Sequence, residues 1–427
     1  MQVARENLHI ANKVYRYRSD VLSPDDLSEL GDAAHALQTE YKNKAGSDEQ
    51  FESSIERLKS ILQRTGGAFY SKPAWAENAE VFLVAAILAI GIRFFFFQPF
   101  KIPTNSMYPT YNGMTHEVYT PESPRPNLLK KILRKAQLWA TPYTISAPRS
   151  GRLLIPINIT ESPNPNGPSR FLIDFNPSLG KRLGLFPTWR LGYRFYFDDL
   201  SKPVLLQVPS KFSGIDDIVR QRFYPDAPDW RIPNPQVTQW VAEKRATGEI
   251  IQVNGRSYLS PKENFKPADT ALTFDILTGD TLFVDRFSYH FFKPKSGAPF
   301  VFRTGKIPGI SELHGGKAQY YIKRLAGEPG DTLEIRDRAL YRNGQAADGA
   351  QAFIDNAQRK GEYEGYLPIG NLDKQSIRVP EKTYYALGDN SDASSDSRVW
   401  GWVPDSEVIG KALFIFYPFS HRWGLAQ

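Results

Sequence analysis

Apolar residues recur every three or four positions through Asp48–Arg64 (Phe51, Ile55, Leu58, Ile61, Leu62), and Pro24–Tyr41 carries similar spacing. Two amphipathic helices are therefore predicted within a polar N-terminal region, residues 1–77, their apolar faces packed on each other. The pattern then changes. Val81–Phe97 reads VFLVAAILAIGIRFFFF, with no polar face. At ~1.5 Å per residue these residues reach roughly 25 Å, the short end for a membrane span. Arg93 lies near the end of the run, where its side chain can snorkel to the interface, and Trp75 and Phe94–Phe97 flank it as interfacial aromatics. Residues 78–98 are read as a transmembrane helix rather than a buried helix of a soluble domain. The run starts too far along the chain, with no small-residue cleavage site after it, for a cleaved leader.

Residues 115–270 are proline-rich and read as irregular, with strand-like pieces at Arg152–Ile157 and Tyr193–Phe197 and a hairpin over Gly248–Leu259 that turns at Asn254-Gly255. Leu128–Trp139 (LLKKILRKAQLW) is helical in pattern. Leu128, Leu129, Ile132, Leu133 and Ala136 share one face, with Lys130, Lys131, Arg134 and Lys135 on the other. Such a helix can lie in a membrane interface or cover part of the protein's own core, and the second reading is preferred. From 271 onward short alternating strands dominate: Thr281–Phe287, Gln319–Leu325, Thr332–Ile335, Tyr384–Leu387 and Ala412–Tyr417. Turn signals at Pro329–Asp331 and Asn343-Gly344 separate them, as in an antiparallel all-β domain.

Composition narrows the chemistry. The 31 glycines and 32 prolines, spread along the 427 residues, suit many short strands and turns. The chain contains 0 cysteines, which removes disulfides, thiolate metal sites and a cysteine nucleophile. Its 6 histidines are scattered with no metal-ligand spacing, and no G-x-S-x-G elbow is present. The net charge is +7; residues 115–270 hold 22 Lys and Arg against 14 Asp and Glu, a balance that suits anionic lipid, nucleic acid or simply a solvated surface.

With histidine and cysteine routes weak, a serine nucleophile needs another base. A lysine in a dry pocket can serve, because burial disfavours the ammonium form. Pro103 and Pro109 bracket Ser106 in PFKIPTNSMYPT, directly after the span. Lys323 sits among Tyr321, Ile322 and Leu325 in QYYIKRLAGEPGD, where a strand can turn it inward.

Taken together, four blocks resemble the type I signal peptidases in that family's order: Phe97–Thr110, Gly279–Tyr289, Tyr321–Asp331 and Gly388–Arg398, the last followed by Trp400-Gly401 and Val403-Pro404. Together with the strands to about Tyr417 the resemblance covers residues 79–114 and 271–417, somewhat under half the chain. The resemblance implies a mainly β fold: an antiparallel catalytic core over 99–114 and 271–427, with 115–270 as a large insertion, since family members place only about two dozen residues between the first two blocks. It implies Ser106 as nucleophile, Lys323 as neutral general base, and an oxyanion hole from the Ser106 N–H and the Thr104 hydroxyl. Ser394 is expected to hydrogen-bond and orient Lys323. Asp389, Asn390, Asp396 and Arg398 are expected to be structural, Asp396 and Arg398 as an ion pair. Phe100, Ile102, Met107, Tyr321 and Ile322 are expected to form shallow pockets for small residues at P1 and P3, with the peptide added as a strand between Phe100–Thr104 and Gln319–Lys323.

The implied activity is cleavage of signal peptides from exported preproteins after Ala-x-Ala, without cofactor or metal. The implied partners are those preproteins and the lipid bilayer, with the translocation machinery a further candidate and no nucleic acid. Together with Arg64 and Lys72 before the span against Lys101 after it, the resemblance implies a bacterial inner (cytoplasmic) membrane protein. It would be single-pass, its N-terminus cytoplasmic and its catalytic domain on the outer face. Two alternatives are a self-cleaving Ser/Lys regulator, disfavoured by the span and by the lack of a helix-turn-helix, and an inactive membrane-anchored scaffold.

Overall fold

The computed structural model describes residues 2–43, 48–70, 74–120, 123–161, 167–182, 186–230, 234–311 and 317–426. They fall into two compact units that divide after Ile92. In the first, helices α1 (Gln2–Arg18), α2 (Pro24–Asn43) and α3 (Asp48–Thr65) bury Ala4, Val14, Leu30, Leu37, Leu58 and Leu62 against one another. The sequence pattern missed α1 because its inward face is Ala4, Asn7, Ala11 and Val14, small residues with a polar one among them. Helix α4 (Ala74–Phe95) follows; its stretch Asn78–Phe95 has a mean hydropathy of 1.8 and is wholly unburied. Among the described residues it is the one helix long and apolar enough to cross a membrane.

The second unit is mostly antiparallel β-sheet. It opens with β1 (Phe97–Lys101) and then departs into β2 (Thr115–Tyr119), α5 (Leu128–Leu138), β3 (Thr141–Ser146), β4 (Gly151–Thr160), β5 (Arg170–Ile173), β6 (Phe175–Arg182), β7 (Phe186–Phe197), β8 (Val204–Pro209), α6 (Ile215–Phe223), α7 (Pro235–Ala246), β9 (Ile250–Val253), β10 (Arg256–Leu259), β11 (Asn264–Phe265) and β12 (Thr270–Leu277). This stretch, read from sequence as irregular, has its own hydrophobic core. Phe171, Trp230 and Trp240 stack and abut at 4.6–5.4 Å between ring centroids, surrounded by Leu153, Phe195 and Phe274. The pattern hid this core because its aromatics come from separate elements, Phe171 from β5, Phe195 from β7, Trp230 from a loop, Trp240 from α7 and Phe274 from β12, so no local period gathers them. Asn254 and Gly255 take φ of 51° and 74° to turn the β9–β10 hairpin, the conformation that Asn-Gly favours. The last strand before the Gly279 block is β12, which starts at Thr270. That strand pairs with β2 from Thr115↔Leu277 to Tyr119↔Thr273, so the chain enters and leaves through neighbouring strands.

The remaining elements are β13 (Thr281–Asp285), β14 (Pro299–Arg303), α8 (Pro308–Ser311), β15 (Tyr320–Gly327), β16 (Thr332–Arg336), β17 (Ala339–Arg342), β18 (Gln345–Ala346), α9 (Gln351–Gln358), β19 (Ile377–Arg378), β20 (Thr383–Leu387), α10 (Ser397–Trp400), β21 (Val403–Pro404), β22 (Val408–Tyr417) and β23 (Gly424–Leu425). The main sheet runs β1-β13-β22-β14-β15-β20-β21, and a smaller one runs β18-β17-β16-β19. Strand β14 (PFVFR) is buried on both faces, so it lacks the alternation that reveals a strand in sequence. The main sheet curls. Its end strand β1 reaches back to β15, three strands away from its partner β13, and the Phe100 and Tyr320 rings meet edge to face at 5.1 Å.

Candidate active site

The curl leaves a cleft of about 560 Å³ between β1 with its following loop and the first half of β15. On the β15 side, Tyr320–Lys323 pairs with β14, and pairing with β20 begins at Arg324. On the other side, residues 102–114 fold tightly. The Asn105 side chain accepts a hydrogen bond from the Gly113 N–H at 2.8 Å, and a Cβ on Gly113 would meet the Thr104 carbonyl carbon at 2.3 Å. Glycine there lets the loop close on itself.

Ser106 and Lys323, 217 positions apart, meet in this cleft. Lys323 Nζ donates to Ser106 Oγ at 2.5 Å, and both residues are buried. Burial pushes the Lys323 amine down from 10.5 to about 8. Asp396 and Asp389 oppose that shift, while Arg398 adds to it. A lysine of this kind sheds its proton near neutral pH and can then accept one from a hydroxyl.

The loop carrying Ser106 is clamped to the last sequence block. Asn390 donates its backbone N–H to the Ser106 carbonyl at 3.2 Å and its side-chain amide to the Asn105 carbonyl at 3.1 Å. A Cβ at Gly388 would lie 2.4 Å from the Ser106 carbonyl oxygen and 2.1 Å from Ser394 Oγ. The glycine thus permits the close approach of three segments. Asp396 and Arg398 form a fully buried pair, with Arg398 NH2 to Asp396 Oδ2 at 2.7 Å. Asp396 also accepts the Gly388 N–H at 3.0 Å, and Arg398 donates to Ser391 Oγ at 2.6 Å. This pair fixes the turn that faces the dyad.

Thr104, Phe100, Ile102, Tyr321 and Ile322 line the cleft together with Leu282 and Val301. Two expectations need correction. Met107 does not line it. It is fully buried beneath the loop against Ile102, Tyr111 and Leu282, where the chain turns its side chain into the core. Ser394 is buried near the dyad, but its hydroxyl makes no hydrogen bond, to Lys323 or to any other group: it packs against Gly388, and the lysine amine is directed at Ser106.

The structure also adds residues that the sequence did not mark. Arg324, next to Lys323, is buried and donates from Nε and Nη2 to the Asp389 carboxylate, at 2.7 and 2.6 Å. Burial alone disfavours the Arg324 charge, but the Asp389 carboxylate more than offsets this and keeps it protonated. Thr110 donates to the same carboxylate at 2.5 Å, tying the serine loop to this pair. Ser210 and Lys211, after β8 of the insertion, line the cleft as well, and Lys211 Nζ donates to Gln319 Oε1 at 2.5 Å. Nothing in their local sequence marks them.

A family model described as signal peptidase, peptidase S26, matches residues 263–417. Ser106 lies outside that match and Lys323 inside it. A probable signal peptidase I-1 of Synechocystis is 36% identical over 158 residues, covering 37% of this chain and 71% of that protein. Signal peptidase IB of Staphylococcus aureus is 32% identical over 125 residues, covering 28% of this chain and 65% of that protein. Among solved structures, a signal peptidase I from Enterococcus faecalis is 31% identical, with a TM-score of 0.22, and the match covers 28% of this chain and 97% of that one.

Proposed function

The chain belongs to the type I signal peptidase family, and from that premise we propose that it is a membrane-anchored serine endopeptidase that removes signal peptides from exported preproteins after small residues. The observation that carries this reading is the 2.5 Å contact between the buried Lys323 amine and the Ser106 hydroxyl.

In the proposed mechanism, neutral Lys323 takes the Ser106 proton as Oγ attacks the scissile carbonyl. The oxyanion is held by the Ser106 N–H and the Thr104 hydroxyl, both of residues that line the cleft. Lys323 then protonates the leaving amine, and the same amine activates the water that hydrolyses the acyl-enzyme. The substrate enters as a strand between Phe100–Thr104 and Gln319–Lys323, its P1 and P3 side chains set against Phe100, Ile102, Tyr321 and Ile322, which leave room for alanine and exclude larger groups. The apolar helix α4 ends eleven positions before Ser106, which suits an anchor in the inner membrane with the N-terminus in the cytoplasm.

The test is cleavage of a preprotein carrying an Ala-x-Ala site. Ser106→Ala and Lys323→Ala are expected to lower kcat/KM by several orders of magnitude with folding retained. The wild-type kcat/KM is expected to rise with pH to a midpoint at about 8, as the base becomes neutral. Normal cleavage by Lys323→Ala would remove the base from the mechanism, and cleavage of the chain itself in place of the preprotein would favour a self-processing regulator.

A further inference from the structure

Helix α5, in the insertion, is held by its polar side. Asn127 caps its start, accepting the Lys130 N–H at 3.1 Å, and Trp139 ends it in a left-handed conformation. Arg134 reaches in to Glu117 and lies 3.9 Å from buried Asp275. The C-terminal turn is bound to the chain around it: Thr278 N–H to the Leu138 carbonyl at 3.1 Å, Tyr417 hydroxyl to the Ala136 carbonyl at 3.1 Å, and the Gln137 amide to the Phe419 carbonyl at 2.8 Å. The opposite face, Leu128, Leu129, Ile132 and Leu133, is 59–73% exposed. The preferred expectation, that this face covers the protein's core, is overturned: the tertiary partners of Arg134 turn it outward.

We propose that α5 is a docking element for an anionic lipid surface, lying in the plane of the interface with its leucine and isoleucine side chains among the acyl chains. Three observations commit the face to that occupant. Exposed Lys130 lies on one flank of the apolar stripe and exposed Lys131 and Lys135 on the other, the placement that lets ammonium groups reach headgroups while the stripe is immersed. No acidic residue occurs between Glu122 and Glu161, and Glu117, a carboxylate that α5 touches, is paired with Arg134 on the side away from the apolar stripe. Trp139, 58% exposed and 4.8 Å from Lys135 Nζ, and exposed Phe419, joined to Gln137, extend the patch with residue types that settle at headgroup depth. A second copy of the chain fits poorly, because two such helices face to face would set Lys130, Lys131 and Lys135 against their own kind. The inference is independent of the peptidase reading.

The chain has no cysteine, so single cysteines at Leu129, Ile132 and Leu133, with Ser201 as an exposed control, can carry an environment-sensitive fluorophore. The full chain is reconstituted into phosphatidylcholine vesicles with or without phosphatidylglycerol. The three helix labels are expected to shift to the blue and be quenched by nitroxide-labelled lipid when phosphatidylglycerol is present, while Ser201→Cys stays aqueous. Lys130→Glu/Lys131→Glu/Lys135→Glu is expected to lower that quenching at least about tenfold, with thermal unfolding unchanged. Helix labels that stay aqueous in both vesicles overturn the proposal. So does quenching that is equal in both, which would make the contact purely apolar. A blue shift that grows with protein concentration rather than with anionic lipid overturns it as self-association.

Discussion

Lys323 and Arg324 are neighbouring buried cations on one strand, and the fold treats them in opposite ways. Arg324 keeps its charge because Asp389 grips it; Lys323 has only a hydroxyl as its hydrogen-bond partner and is driven towards neutrality. The displacement from 10.5 to about 8 corresponds to about 3 kcal/mol of strain on the folded state while the amine is charged. The unfolded chain keeps its proton up to about 10.5 and the folded chain releases it from about 8, so this penalty is present in full below pH 8 and fades as pH rises between those values. Lys323→Met is accordingly expected to raise Tm at pH 7, with the gain shrinking across pH 8–10.5 in melts followed by circular dichroism; a gain independent of pH would mean that the amine is not the titrating group. Arg324→Met acts the other way. It strands the Asp389 carboxylate in the interior and is expected to cost about 3–5 kcal/mol in urea unfolding. The sequence made Lys323 visible through its resemblance to a known block. It left Arg324 invisible, because a cation on a strand points to water unless a distant carboxylate is known to be waiting, and Asp389 lies 65 positions away.

Among the elements, those with a strong local period were legible and those defined by partners were not. The helical spacing of α3 and α5 and the Asn-Gly hairpin of β9–β10 stand where their residues place them. The direction in which α5 faces was not readable, since periodicity gives two sides but not which side finds Glu117 and Asp275. The same holds for the loop after β8. Lys211 enters the cleft at Gln319, four residues before Lys323, or roughly 13 Å along the strand, which places it beyond the proposed P3 position. Desolvation in the cleft lowers the pKa of its ammonium, and the exposed side chain is available to meet substrate charge. Lys211→Glu is expected to shift preference by several-fold in kcat/KM from peptides with an acidic residue upstream of P3 to those with a basic one, while the pH midpoint of the reaction stays put. Equal effects on both peptides would assign Lys211 to packing alone.

At the scale of the molecule, the blocks that carry Ser106 and Lys323 are separated in sequence by a module with its own core, yet the two side chains still meet. The junction explains how. Asp280 accepts the Asn112 N–H at 2.8 Å and is paired with Arg422, its carbonyl accepts the Ile102 N–H at 2.8 Å, and a Cβ on Gly279 would strike the Ile102 carbonyl at 1.9 Å. These contacts pin both ends of the excursion to the serine loop, independently of what lies between them. Replacing residues 115–277 with a short Gly-Ser linker is therefore expected to leave a folded chain that still cleaves a soluble peptide, with the selectivity contributed by Lys211 gone. Loss of all cleavage would show that the module helps to form the dyad. Since β2 and β12 run side by side, departure and return occupy a single doorway. A host so built can accept a foreign passenger at that threshold, such as a reporter or a receptor, and gain a new attribute while its chemistry carries on undisturbed.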